Sequence, residues 1–148
     1  MVEMAFVLTL LVMLLVGVTT SALAYGQNNS IENAAREASR YGATLPDAVD
    51  LAWLQDVRDV ARGAALGDLE TSVAGQYICV AHYDGAAWSR LTDTGGVEAT
   101  AASDCFTDTL PADEARVQIV TGRDTTINAV IFSADITLQG EAAARYER

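Results

Sequence analysis

Met4 to Tyr25 reads MAFVLTLLVMLLVGVTTSALAY, and no charged residue occurs between Glu3 and Glu32. About 20 predominantly apolar residues at about 1.5 Å rise match the hydrocarbon thickness of a bilayer, so this run is long enough to cross one as a helix. A cleaved secretory signal is a second reading, with Ala22-Leu23-Ala24 as an A-x-A-like cleavage site. Such signals open on a basic segment, however, and here only Met1, Val2 and the acidic Glu3 precede the run. A third reading is a plain single-span anchor. No Lys or Arg lies before Arg36, so the positive-inside rule finds nothing to hold on the N-terminal side. A basic leader preceding Met1, lost by processing or by choice of start codon, is the simplest expectation.

Beyond the run, Gln27-Asn28-Asn29-Ser30 is polar but lacks Pro, and Ile31, Ala34, Ala35, Ala38 and Tyr41 keep a helical spacing. Glu32 and Arg36 stand four apart in the favourable order. The helix is therefore predicted to continue to Tyr41, with Gly42 as its stop and Pro46 forcing a restart. A helix of about 41 residues is roughly 60 Å long, twice the hydrocarbon layer, so half of it must project outside.

An acidic residue, a long apolar helix, then Asn33-Ala34-Ala35-Arg36-Glu37-Ala38-Ser39-Arg40-Tyr41-Gly42-Ala43 resembles the N-terminal region of TadE/TadG-like proteins. These are the pilin-like components of tight-adherence (Flp-type) pilus systems, within the broad type IV pilin-like class. Val2 to Gly17, VEMAFVLTLLVMLLVG, is similar to that family's opening, and Ile136 to Arg148, ITLQGEAAARYER, resembles the way many members close. The resemblance implies a membrane-held subunit that is later assembled into a filament outside the cell. Its partners would be copies of itself or homologous pilins, the assembly machinery and a prepilin peptidase. Processed pilins of this class carry a glutamate fifth from the new N-terminus, whereas Glu3 is third here. The expectation is a start upstream of Met1 or cleavage outside the usual pattern.

A carboxylate at the edge of an apolar helix is costly in a low-dielectric setting and is expected to find a cation. No basic side chain is near Glu3 in sequence. The resemblance supplies the N-terminal amine of the same or a neighbouring subunit. The alternative is that Glu3 sits idle among headgroups, facing water. Ala5, Gly17, Ala22 and Ala24 are small residues at which another helix can approach closely.

After Pro46-Asp47, the residues Val49, Trp53, Val57, Val60 and Ala61 recur at three- and four-residue spacing, widened by Leu54, which predicts an amphipathic helix from Asp47 to about Ala65. Asp50, Asp56, Arg58, Asp59 and Arg62 read as its solvated face. The period then changes. Tyr77 to Tyr83 is a β-rich run ending at the hairpin signal Asp84-Gly85, with Ala87 to Leu91 able to pair back. Thr92 to Asp104 reads as a surface loop, and Ala115–Thr121, Ile127–Phe132 and Ile136–Tyr146 as further strands, with Ser133-Ala134-Asp135 between the last two. The fold class is α+β: a long apolar N-terminal helix, a second amphipathic helix, and a C-terminal antiparallel sheet of four to five strands. The chain divides into a helix over 1–43, apolar over 4–25, and an extracellular head over 44–148.

Composition narrows the function. The chain has 148 residues and twenty acidic against nine basic side chains, so its charge of -11 opposes binding to nucleic acid or to an anionic membrane surface. All nine are Arg, and without Lys there is no Schiff base and no P-loop. The lone His82 sits on a strand without a nucleophile placed by spacing, so no enzyme activity, cofactor or multi-His metal site is expected. Asp104, Asp108, Asp113 and Glu114 lack the register of a calcium loop and read as solubilising. Two cysteines in an exported domain favour a Cys79–Cys105 disulfide over free thiols. Two readings stay open: a filament subunit, and a membrane-anchored extracellular binding module that never polymerises.

Overall fold

The computed structural model describes residues 2–44, 50–70, 72–83, 87–100, 105–106, 116–128 and 133–145. Helix α1 (Val2–Thr44) is followed by α2 (Leu51–Ala64) and strands β1 (Gln76–Tyr83), β2 (Trp88–Thr94), β3 (Val97–Ala99), β4 (Arg116–Asn128) and β5 (Ser133–Arg145). The strands form one five-stranded sheet in the order β3-β2-β1-β4-β5. Every neighbouring pair is antiparallel. This is the α+β architecture expected from the sequence.

One sheet face is covered by both helices, α1 over β4 and β5 and α2 over β1 and β2. Strand alternation sets which side chains meet them: Ile78 and Val80 of β1, Leu91 of β2, Val117 and Ile119 of β4, and Leu138 of β5 point inward. The helices answer with Ile31, Ala34, Ala35 and Ala38 from α1 and Trp53, Leu54, Val57 and Ala61 from α2. The outer half of α1 is thus built into the core. Alanines on its buried face let the helix lie close to the strands.

That approach is closest at β5. A Cβ added to Gly140 would lie 2.8 Å from the Ile31 carbonyl oxygen and 2.9 Å from Glu32 Cα. Thr121, fully buried beside them, has its hydroxyl 3.3 Å from the Ile31 carbonyl and 3.2 Å from that of Gly140. Helix backbone therefore rests on strand backbone with a hydroxyl bridging the seam.

Several boundaries differ from the sequence reading. Gly42 does not stop α1, which runs to Thr44; a Cβ there would meet Val117 Cγ1 at 2.9 Å, so the glycine serves close packing on β4. Helix α2 starts at Leu51, later than expected, because Asp50 is its N-cap and accepts the Trp53 amide at 2.8 Å. The segment read as a loop from Thr92 contains the end of β2, a turn at Gly95-Gly96 and β3. Both glycines have positive φ, 61° and 77°, as a tight two-residue hairpin requires. The two strands expected at Ala115–Thr121 and from Ile127 are one strand, β4, and Ser133-Ala134-Asp135 opens β5 instead of linking two strands. Residues Pro46-Asp47, Asp84-Gly85, 129–132 and Tyr146, which those readings also used, lie outside the described residues.

Candidate functional site

Most of the apolar run of α1 is exposed among the described residues, and β4 comes beside it only from about Thr20 on. Phe6, Leu8, Leu10, Leu14, Val18 and Leu23 are all exposed, as is Tyr25 at the end of the run. By length and composition α1 is able to cross a membrane. Its polar side chains are compatible with that. The hydroxyls of Thr9 and Thr19 donate to the carbonyls of Ala5 and Leu15 at 2.9 and 2.7 Å. Thr20 and Ser21 donate to those of Val16 and Gly17 at 3.0 and 2.9 Å. Every Ser and Thr between Glu3 and Tyr25 is thereby satisfied within its own helix, so none requires water.

Glu3 lies in the first turn, where the positive end of the helix favours a carboxylate. The first Arg in the chain is Arg36, about 50 Å away along the unbroken helix, so no basic side chain of the helix itself reaches Glu3. Ala5 is exposed. Among the described residues nothing lies within 4 Å of a Cβ built on Gly17.

Residues 1–40 match the family model described as TadE-like protein. No curated protein and no solved structure gives a match. The TadE-like segment covers the whole exposed half of α1 and continues to Arg40, through the buried positions Ile31, Ala34, Ala35 and Ala38. It therefore spans both the exposed part of the helix and most of the part that holds the sheet.

Outside the TadE-like segment lies a polar cleft of about 440 Å³, lined by Arg58, Arg62, Glu70, Ser72, Asp93, Gly96 and Glu98. Arg58 was expected on the solvated face of the second helix, but it is 8 % exposed. Its guanidinium pairs with Asp59 at 2.9 Å, with Asp93 at 3.3 Å and with Glu98. Arg62 reaches Asp93 at 2.9 Å. Burial opposes the charge on Arg58, but hydrogen bonds to Glu98 and Asp59 outweigh it and raise the pKa. Hydrogen bonds from Gln55 and then Arg58 hold the Glu98 carboxyl below its usual range. Two guanidinium groups thus meet three carboxylates, with Glu70 a fourth on the rim, which leaves no surplus positive charge for an anionic ligand. The arrangement clamps α2 to the β2–β3 hairpin.

His82 is buried beneath α2, its ring edge-on to Trp53 with centroids 5.4 Å apart. It is a packing residue of the core. Cys79 and Cys105 are joined by a disulfide with Cα atoms 6.4 Å apart, on the sheet face turned away from the helices. Asp104, Asp108, Asp113 and Glu114 lie outside the described residues. Among the described residues no cluster of three His, Cys, Asp or Glu side chains is placed to hold a metal.

The sequence singled out Glu3, Ala5 and Gly17 in the apolar run of α1 and the pair Cys79 and Cys105 at the sheet. These are two separate places. Arg58 with Asp93 and Glu98 escaped the reading, since its ion pairs join positions 35 and 40 residues apart.

Proposed function

We propose that the chain is a structural subunit of an extracellular pilus filament, a pilin or minor pilin-like component, with surface adhesion as its service. The observation that carries this reading is the exposed apolar half of α1, polar groups satisfied internally, joined without a break to a compact α+β body. Such a surface is stable in only two settings, lipid or the apolar surfaces of other helices. The TadE-like match over residues 1–40 supports a component of a tight-adherence pilus system. Before assembly α1 rests in the cell membrane as a single span; in the filament it packs on the same helix of copies or homologous pilins. Ala5 and Gly17 are the points of close approach, and Glu3 takes the N-terminal amine of a neighbour. The division into a helix over 1–43 and a head over 44–148 belongs to the same reading, as do the pilus assembly machinery and a prepilin peptidase as partners. The role is structural, not enzymatic, and requires no cofactor.

The test compares sheared extracellular material with the membrane fraction for wild type and Glu3→Ala. Removing a charge from an apolar helix favours insertion, by up to about 2.5 kcal/mol on translocon scales, so failure to enter the bilayer would not explain a defect. The mutant is expected to accumulate in membranes, with its extracellular pool reduced. Equal extracellular yields remove the assembly role from Glu3. Absence of wild type from the extracellular pool favours a non-polymerising anchored module.

A further inference from the structure

Strand β4 descends along α1 toward the N-terminus of the helix. Gly42 lies against Val117, the Ile31 carbonyl takes the Thr121 hydroxyl, and Thr20, Leu23, Ala24 and Gln27 share a cleft of about 180 Å³ with Thr125, Thr126 and Ile127. Strand β1 ends its pairing with β4 at Gln76↔Arg123. Past that point β4 and β5 continue as a two-stranded ribbon, from Asp124↔Thr137 to Asn128↔Ser133. The ribbon therefore leaves the sheet and reaches down beside the apolar run of α1, several residues below Tyr25.

The two faces of the ribbon differ. Thr125, Ile127, Ala134 and Ile136 are half-buried on the side of the helix. Asp124, Thr126, Asp135 and Thr137 are exposed on the other, with Thr126 donating to Asp135 and Thr137 to Asp124, each at 2.7 Å. Both carboxylates are thus hydrogen-bonded, and both are set back from the end of the ribbon. In the cleft with α1, Thr125 to Ile127 stand beside Thr20 to Gln27, the stretch of α1 in which the apolar run ends at Tyr25. With the hydrocarbon layer taking about 20 residues from Met4, its outer boundary falls at about Leu23 to Tyr25, the level of that cleft.

We propose that the end of the β4–β5 ribbon rests in the headgroup layer of a phospholipid bilayer crossed by α1, giving the exported part a second membrane contact through Ile127 and the strand ends around it. This rests on the membrane-held stage of the proposed function. The lipid it suits is zwitterionic, because Asp124 and Asp135 flank the contact and repel an anionic surface. The contact fixes the rotation of the body about α1 relative to the membrane plane, which one helix alone leaves free.

The experiment places the full chain in phosphatidylcholine vesicles carrying acyl chains brominated either near the headgroup or near the chain end. Tryptophan is introduced at the ribbon by Ile127→Trp and, on the opposite, exposed face, by Thr126→Trp. The native Trp53 and Trp88 serve as an internal reference, since Trp53 packs beside Gly42, about 25 Å above Tyr25 along the helix. The added tryptophan is expected to emit at shorter wavelength and to lose emission most on the shallow bromines, while wild-type emission is unchanged. Should Ile127→Trp disturb the seam with α1, Thr126→Trp decides alone. A chain that floats with the vesicles but shows no quenching of the added tryptophan overturns the ribbon contact and leaves the anchor intact. Failure to float with vesicles overturns both. A tryptophan that is water-exposed in vesicles but shifts to shorter wavelength in assembled filaments assigns the ribbon to a neighbouring subunit and overturns the lipid contact.

Discussion

Gly140→Ala tests whether α1 and the sheet are held by direct backbone contact. In an open strand the change would be mildly favourable, since it restricts the unfolded chain, by about 0.4–1 kcal/mol. Here the new methyl would lie 2.8 Å from the Ile31 carbonyl oxygen, 2.9 Å from Glu32 Cα and 3.0 Å from Glu32 N. All three are backbone atoms of a helix, so no side chain can rotate away. The helix must lift, which loosens Ile31 and Ala34 against the sheet and lengthens the Thr121 bridge. Overpacking of this kind costs about 1–3 kcal/mol, larger than the entropic gain, so net destabilisation of about 1–2 kcal/mol follows. For a body of this size that is a fall in Tm of about 5–15 °C. Gly63→Ala is the control: this glycine is in α2 with nothing among the described residues within 4 Å of an added Cβ, and alanine there should stabilise by about 0.5–1 kcal/mol. Both are measured on the full chain in detergent by urea unfolding followed through Trp53 and Trp88. If Gly140→Ala is as stable as wild type while Gly63→Ala gains, the backbone seam is wrong.

Alkylation of the non-reduced protein should leave Cys79 and Cys105 unlabelled by mass, and reduction should cost about 3 kcal/mol, the chain-entropy value for a loop of this length; full labelling before reduction removes the disulfide. Arg58→Ala strips a partner from the buried Asp93, whose side chain is 3 % exposed, and should destabilise by about 3 kcal/mol, the low end for a broken buried pair because Arg62 remains on Asp93. Little of that loss comes from Glu98, which is far more exposed, so Glu98→Gln should cost under about 1 kcal/mol in the same unfolding assay. A chain truncated before Asn28 keeps every residue of the buried core and should be a soluble, folded monomer by sedimentation; recovery only as aggregate contradicts a self-contained head.

Much of this fold is written in local pattern. The apolar run fixes the exposed part of α1, and the spacing of Ile31, Ala34, Ala35 and Ala38 marks the face that enters the core. Where the reading failed, the deciding contact came from far along the chain. Gly42 looks the same whether it ends a helix or admits a neighbour, and only the position of Val117 separates the two. Arg58 sits among charged residues on a helix surface, and nothing near it announces that Asp93 and Glu98 will close over it. The hairpin at Gly95-Gly96 is a different case. Its turn signal was present, but the small polar residues around it concealed a three-residue strand. In the apolar run of α1, Glu3, Ala5 and Gly17 were singled out by composition alone, as one charge and a few small residues in a long apolar stretch.

The uninterrupted course of α1 has a mechanical consequence. The helix contains no Pro, and its outer half is wedged onto strand backbone at Gly140, so there is no joint between the apolar end and the body. A rod of 43 residues is about 65 Å long, and a 10° inclination of its lower end displaces the upper end by about 11 Å. Axial load on the apolar end passes straight into β4 and β5 through shear of that seam. The molecule would therefore act as a stiff lever, with tilt at its base converted directly into travel of the body.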